Sequence, residues 1–159
     1  MPRVLFVIFF LAGCAAIPPH SQRSLIVASL DRLNEAENRS LDIGLEQKIA
    51  GIDDTMADSW EGWSNGVHAQ SRSDERETER VLFSVFPDYR RTFDLIVVDP
   101  PFANVLWTIT GTASTNGYKL RMKGSTTFEF DADGMIIRSW LHTGQMPAPR
   151  DVGIERDGT

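Results

Sequence analysis

The chain has 159 residues, of which 42% are hydrophobic and 24% are charged, and its formal net charge is −6. This length and composition are typical of one globular domain with a packed core. The acidic balance argues against binding of nucleic acid, which needs a basic face, and against adhesion of the protein surface to anionic lipids.

The N-terminus has the pattern of an export signal. Arg3 is the only charged residue before the apolar run Val4–Leu11, which is too short to span a bilayer because spanning needs about 20 apolar residues. Residues 11–14 read Leu-Ala-Gly-Cys, which resembles the lipobox of bacterial lipoproteins. The resemblance implies that residues 1–13 are a lipoprotein signal peptide and that Cys14 becomes the acylated first residue. An ordinary secretory peptide with an unrelated cysteine is the alternative.

Cys14 is the only cysteine, so the chain cannot form an internal disulfide, and acylation accounts for an unpaired cysteine in an exported protein. Lipoproteins of this type carry three acyl chains, and two or more chains anchor a protein stably. Ala15 is non-acidic, which resembles the outer-membrane sorting default of Gram-negative lipoproteins. We therefore expect a protein anchored in the cell envelope, at the periplasmic face of the outer membrane if the organism is Gram-negative.

The rest of the chain divides into three parts. Residues 14–23 contain Pro18-Pro19 and predict an irregular, lipid-anchored tether. Residues 24–144 are predicted to form the folded domain. Residues 145–159 are polar and contain Pro147 and Pro149, which predicts an irregular tail.

The first half of the domain is predicted to be mainly helical. Helices are predicted over residues 24–38, 40–49 and 73–86, and a short strand with a loop over residues 55–67. Gly51 and Asp53-Asp54 are predicted to end the second helix. Ser73 is the predicted N-cap of the third helix, which ends at Pro87, and residues 74–80 are predicted to be its solvated face.

The second half is predicted to be a meander of strands. They cover residues 92–98, 104–112, 118–130 and 135–142, with a hairpin loop at residues 131–134. The third of these strands alternates over its whole length, which predicts one buried and one solvated face. Leu120, Met122 and Phe128 are predicted to be buried, and Lys119, Arg121 and Lys123 to be exposed. Gly124 predicts a bulge or bend in this strand.

Three stretches carry a resemblance to a known family. They are Phe86-Pro87-Asp88-Tyr89-Arg90, residues 107–112 (Trp-Thr-Ile-Thr-Gly-Thr) with Gly117, and residues 128–136 followed by Trp140. With these stretches in this order, the chain resembles the SnoaL-like polyketide cyclase family of the nuclear-transport-factor-like superfamily. The resemblance implies an α+β fold, a cone-shaped barrel whose curved antiparallel sheet wraps on N-terminal helices around an apolar pocket. Proteins of this fold often form homodimers through the outer sheet face.

The resemblance also identifies a candidate for proton transfer. SnoaL-like cyclases place an acidic residue shortly after the last-strand tryptophan, and many members place a histidine after the glycine-threonine pair. Here no carboxylate follows Trp140, and Ala113 stands at the histidine position. His142 is the remaining acid/base candidate because imidazole titrates near neutral pH. The alternative is a histidine at the rim, bonded to backbone or water.

Aromatic residues and one arginine are candidates for ligand contact. The predicted pocket residues are Trp60, Trp63, Trp107, Phe128, Arg138 and Trp140. Aromatic rings stack on flat ligands, and a guanidinium group binds a carboxylate through two hydrogen bonds. The alternatives are plain core packing for the tryptophans and an exposed or ion-paired strand position for Arg138. His68 is expected at the surface.

No metal or other cofactor is predicted. Asp53, Asp54 and Asp58 lack the alternating spacing of a calcium loop, and three scattered histidines with one cysteine do not form a zinc pattern. The sequence contains neither a glycine-rich phosphate loop nor a nucleophile elbow.

Three functions are compatible with these features. The first is an envelope lipoprotein whose domain binds a small apolar or aromatic molecule, with no assigned reaction. The second is an enzyme of the cyclase or isomerase type that uses His142 as acid/base. The third is a non-catalytic structural or interaction lipoprotein whose interior is filled by side chains.

Overall fold

The computed structural model describes residues 19–144. The helices are α1 (Pro19–Asn38), α2 (Leu45–Asp53) and α3 (Arg72–Val85), with a 3-10 turn at Leu41–Ile43. The strands are β1 (Met56–Ser64), β2 (Val67–Ser71), β3 (Arg90–Asp99), β4 (Phe102–Thr112), β5 (Lys119–Phe130) and β6 (Ile136–Thr143). None of the helices in this range is long and apolar enough to cross a bilayer. The predicted signal peptide, Cys14 and the C-terminal tail lie outside the described residues.

Helix α1 begins at Pro19, five residues before the predicted start of the domain, so residues 19–23 are not part of an irregular tether. Proline suits this position because the first turn of a helix leaves its backbone N–H groups without intrahelical partners. Ile26, Leu30 and Leu33 lie on one face and are fully buried. Residues spaced by four and three positions lie on the same face of a helix, so the sequence predicts an amphipathic helix here.

The boundaries of the next two helices differ from the sequence prediction. Gly44 adopts a φ of +98° and separates the 3-10 turn from α2, which then continues through Gly51 to Asp53. The predicted break at Gly51 is therefore wrong. The N-cap of α3 is Ser71 instead of Ser73, because the Ser71 hydroxyl accepts from the Asp74 N–H while the Asp74 carboxylate accepts from the Ser71 N–H, a reciprocal capping box.

The six strands form one sheet in the order β2-β1-β6-β5-β4-β3. The predicted α+β fold is confirmed, with one correction: β1 pairs with β6 in parallel, so the sheet is mixed and not purely antiparallel. Strands β1 and β2 are joined by Asn65 and Gly66, both at positive φ (49° and 83°), as a tight two-residue hairpin requires. The helices cover the inner face of the sheet, where the core lies.

The alternation predicted for β5 is confirmed. Leu120 and Phe128 are buried, Met122 is half-buried, and Lys119, Arg121 and Lys123 are exposed. Inward-facing residues of β5 lie opposite inward-facing residues of β4, such as Phe128 opposite Ala103. One face of the sheet therefore belongs to the core and the other to solvent.

Gly124 does not form the predicted bulge. The register of β4 and β5 is unbroken from Phe102 opposite Glu129 to Thr112 opposite Lys119. Trp107 lies opposite Gly124, and a Cβ atom added there would lie 2.4 Å from the Trp107 ring and 2.6 Å from the His142 carbonyl oxygen. The glycine is required because the indole ring occupies the space that a side chain would need.

We predict that Gly124→Ala destabilises the domain by about 1–3 kcal/mol, since the added methyl group must displace a buried ring or the backbone. Thermal unfolding monitored by circular dichroism should show a melting temperature lower by several degrees. Gly144→Ala is the control, because nothing lies within 4 Å of its added Cβ atom. Equal melting temperatures for the two variants would contradict this account of Gly124.

Candidate functional site

A buried ion pair joins the end of α1 to the start of β3. Glu37 continues the apolar stripe of α1, one helical turn after Leu33, and Arg91 faces inward from β3 opposite Ile109. The Arg91 Nη1 donates to Glu37 Oε1 at 2.5 Å, and the exposed fractions of the two side chains are 15% and 9%. The guanidinium group also lies over the Trp107 ring, 5.1 Å from its centroid. The pair is therefore embedded in the core beside an aromatic wall.

Asn38 holds this pair in position from the backbone. Its Nδ2 donates to the Arg91 carbonyl at 2.7 Å, and its Oδ1 accepts from the Arg91 N–H at 2.9 Å. With these two hydrogen bonds the Asn38 side chain pairs with the backbone of β3 as a neighbouring strand would, and this aligns the last turn of α1 with β3.

Two atoms of the ion pair have no hydrogen bond within residues 19–144. They are Glu37 Oε2 and Arg91 Nε, and both are buried. A buried polar atom without a partner costs about 1–3 kcal/mol, more when the group is charged. Few buried polar atoms in native proteins lack a partner, so these two atoms distinguish the ion pair from the rest of the core.

Helix α3 adds two carboxyl groups to the same region. Glu75 and Glu79 are one turn apart, and the Arg91 guanidinium group acts electrostatically on both. Burial raises the pKa of Glu75 from 4.5 to about 7, while Arg91 opposes the rise and Glu37 adds to it. Burial, together with Glu75, Glu37 and Asp53, raises the pKa of Glu79 to about 9. Glu79 therefore keeps its proton at neutral pH, and Glu75, which is half-buried, titrates there.

Lys48 and Tyr89 complete the buried cluster, whose other members are Glu37, Arg91, Glu75 and Glu79. The Lys48 ammonium group donates to the Arg39 carbonyl at 3.1 Å and lies 4.1 Å from the centroid of the Phe83 ring. Burial lowers the pKa of Lys48, with Glu37 and Glu79 opposing this effect. The pKa of the Tyr89 hydroxyl is raised mainly by burial, against the influence of Arg91. The interior thus contains several proton carriers of different acidity.

The comparisons with known proteins decide the family. A model of the SnoaL-like domain matches residues 32–139, more than half of the chain. The chain belongs to the SnoaL-like domain family. Among curated proteins, none matches the chain by sequence.

Solved structures of similar fold come from distant relatives. AclR from Streptomyces galilaeus has a TM-score of 0.68 at 15% identity, covering 84% of this chain and 99% of that one. BvnE pinacolase from Penicillium brevicompactum has a TM-score of 0.64 at 10% identity, with coverages of 81% and 89%. A protein from Jannaschia sp. assigned to the SnoaL-like polyketide cyclases has a TM-score of 0.61 at 19% identity, with coverages of 76% and 86%. At these identities the likeness establishes the fold.

In this SnoaL-like domain, three of the predicted pocket residues lie on the inner face. Trp60, Trp107 and Phe128 are all buried. The Trp107 Nε1 donates to Thr126 Oγ1 at 2.9 Å, whereas the Trp60 Nε1 has no partner within the described residues. Trp107 also contacts the Arg91 guanidinium group, so it is the predicted residue that the structure brings to the buried cluster.

The other predicted site residues lie on the outer face. Arg138 lies opposite Glu129 and pairs with it at 2.9 Å, and His142 is exposed opposite Ser125. Trp63 and Trp140 are neighbours on β1 and β6, and their rings stack with centroids 5.3 Å apart. The structure therefore does not bring these four residues together with Trp107. His68, expected at the surface, is exposed and contacts the Trp63 ring.

The outer face also bears on the expected homodimer. It presents several large apolar side chains to solvent, which are Leu95, Val97, Phe102 and Leu106. The homodimer stays a prediction.

Sequence reasoning missed the buried cluster, although signals for it were present. Glu37 follows Ile26, Leu30 and Leu33 in the same helical stripe. The expectation that residues 74–80 form a solvated face is wrong at Glu79, which precedes the buried Phe83 by one turn.

Asp53 and Asp58 pair with the Arg72 guanidinium group at 3.2 and 2.6 Å, and Asp53 also pairs with Arg76.

We predict that Glu79→Gln changes the pH dependence of stability. The pKa of Glu79 is raised on folding, so its contribution to stability is fully present below pH 4.5 and is lost as pH rises toward 9. As pH rises through this window, the free energy of unfolding of wild type should fall by up to about 1.4 kcal/mol per pH unit relative to that of Glu79→Gln. The measurement is urea unfolding at a series of pH values.

The control for this prediction is Glu77→Gln, which changes an exposed carboxyl group of the same helix. It should follow wild type across the series. A Glu79→Gln profile parallel to that of wild type would refute the assignment of a buried, protonated carboxyl group.

Proposed function

We propose that this SnoaL-like domain binds a small, largely apolar molecule between its helices and the inner face of its sheet, with the polar part of the molecule at the buried cluster. The observation that carries the proposal is the pair of unpartnered buried atoms, Glu37 Oε2 and Arg91 Nε, in electrostatic contact with the carboxyl groups of Glu75 and Glu79. Native interiors rarely leave such groups unsatisfied, and a ligand that supplied hydrogen bonds would offset their cost. Trp107 and Trp60, buried on the inner face, make the surroundings of the cluster apolar.

A second candidate function is acid–base catalysis at the same site. A carboxyl group that keeps its proton at neutral pH can act as a general acid, and one that titrates near 7 can accept a proton. Glu79 and Glu75 have these properties and are one helical turn apart. In this proposal they take the acid/base role that sequence reasoning gives to His142. Two structural neighbours are named for a pinacolase and for polyketide cyclases, which is in keeping with chemistry of this kind.

Native mass spectrometry of the full chain purified from its host in mild detergent tests the binding proposal. Wild type should carry an additional small-molecule mass. Glu37→Gln, which weakens the ion pair that frames the site, should carry much less of it. Glu61→Gln, an exposed carboxyl group on the outer face, should resemble wild type. A wild-type chain without any bound molecule, or equal occupancy in all three proteins, would contradict the proposal.

The released molecule then separates binding from catalysis. If the site is catalytic, wild type should convert the molecule and Glu79→Gln should not, while both bind it. A molecule recovered unchanged from wild type would count against catalysis of that ligand and leave binding as the function.

We also propose that the domain is held at the cell envelope by acyl chains on Cys14, at the periplasmic face of the outer membrane if the organism is Gram-negative. The support for this proposal is the Leu-Ala-Gly-Cys sequence at residues 11–14 behind a short apolar run. The anchor would place the binding domain where apolar molecules enter or leave the membrane.

We predict that Cys14→Ser moves the protein from the detergent phase to the aqueous phase in a partitioning assay, because the acylated thiol is lost. Ala16→Ser introduces the same residue two positions later and should leave the protein in the detergent phase. Retention of Cys14→Ser in the detergent phase would exclude Cys14 as the anchor.

A further inference from the structure

The first half of α3 contains no apolar side chain. Residues 72–80 read Arg-Ser-Asp-Glu-Arg-Glu-Thr-Glu-Arg, and the next residue, Val81, is 52% exposed. Apolar packing of the helix on the core begins only at Leu82 and Phe83. Helices in proteins are stabilised mainly by burial of an apolar face, so residues 72–80, the polar segment, lack the usual source of stability.

The inner side of the polar segment consists of carboxyl groups. Glu75 is half-buried and Glu79 is 7% exposed, and both are in electrostatic contact with Glu37 and Arg91. Burial of a carboxyl group costs free energy, whereas burial of an apolar side chain at the same place would lower it. The packing of this segment over the Glu37–Arg91 pair is therefore not driven by the hydrophobic effect.

Ion pairs to α2 hold the polar segment in place instead. The Asp53 carboxylate, 13% exposed, accepts from Arg72 Nε at 3.2 Å and from Arg76, and the Asp53 carbonyl accepts from Arg72 Nη2 at 2.9 Å. Arg80 donates to both carboxylate oxygens of Glu46, at 2.8 and 2.9 Å. The three arginines are spaced by four residues, so they form one stripe of the helix that faces α2. Pairs at this degree of exposure are weakened by salt.

We infer that the polar segment is a gate over the Glu37–Arg91 pair, which opens by local unfolding while Leu82 keeps the second half of α3 in the core. Opening breaks the arginine pairs with α2 and returns the carboxyl groups of Glu75 and Glu79 to water. These two effects oppose each other, so the gate opens at a much lower free energy than the whole domain. Opening needs no bound ligand, and it would give a molecule of the proposed binding function its way to the buried pair.

Hydrogen exchange of the full chain in a non-ionic detergent, followed by mass spectrometry, tests the gate. The amides of residues 76–80 are the reporters, because they are bonded within the helix, and those of residues 82–86 are the internal reference. The reporters should exchange at least about tenfold faster than the reference. Raising NaCl from about 0.05 M to about 0.5 M should speed the reporters at least about threefold and leave the reference unchanged.

A variant of the shared carboxylate locates the effect. Asp53→Asn should speed exchange of residues 76–80 at least about tenfold, because it removes the charged acceptor of two guanidinium groups, and residues 82–86 should exchange as in wild type. Asp54→Asn is the matched control, since it makes the same change in the exposed carboxyl group next in the chain. If circular dichroism shows that Asp53→Asn does not fold, Arg76→Gln removes one of the two pairs and should give a smaller increase in the same amides.

Three outcomes would overturn the gate. Equal exchange in the two halves of α3 would mean that the helix opens only with the whole domain. Faster exchange of residues 76–80 that responds neither to salt nor to Asp53→Asn would be ordinary fraying of a helix end. An increase in Asp53→Asn that extends equally to residues 82–86 would be general destabilisation. None of these outcomes bears on ligand occupancy in native mass spectrometry, so the gate and the binding function can fail separately.

Discussion

The Glu37–Arg91 ion pair joins helix and sheet at a place from which water is largely excluded. Removing two charges from water costs several kcal/mol each, and their mutual attraction offsets this only with good geometry and further hydrogen bonds. The pair has the close contact, at 2.5 Å, and Asn38 aligns the backbone of its two elements. It leaves one oxygen and one nitrogen without partners among the described residues. The positions of Trp107, Tyr89 and the α3 carboxyl groups are arranged around it.

Close packing on the inner face depends on residues without side chains. The Trp107 ring lies against Gly124, and a Cβ atom added to Gly62 would lie 2.6 Å from the Trp60 ring. Each ring lies close to the sheet because a glycine beside it presents backbone alone, Gly124 of the neighbouring strand for Trp107 and Gly62 of the same strand for Trp60. These glycines set how closely the aromatic rings approach the sheet.

The two faces of the sheet have similar residue types and different environments. The outer face has a stacked tryptophan pair, an Arg138–Glu129 ion pair and His142 in contact with solvent. The inner face has tryptophans, an Arg91–Glu37 pair and carboxyl groups in a region of low polarity. Burial raises the pKa of the inner carboxyl groups because the charged form loses its hydration there. The carboxyl groups with a raised pKa therefore lie on the inner side of the sheet.

Elements whose signals are local could be predicted from the amino-acid sequence alone. The stripe of Ile26, Leu30 and Leu33 predicts α1, and the alternation around Leu120 predicts the two faces of β5, because helix and strand periods follow from backbone geometry. The family also followed from short stretches of sequence. The candidate site, in contrast, is assembled by contacts between elements that are far apart in the chain. The face of β6 that turns inward is set by its pairing with β5 and β1, and Glu37 meets Arg91 across 54 residues of chain. Such contacts arise from the packing of distant elements, which no local period encodes.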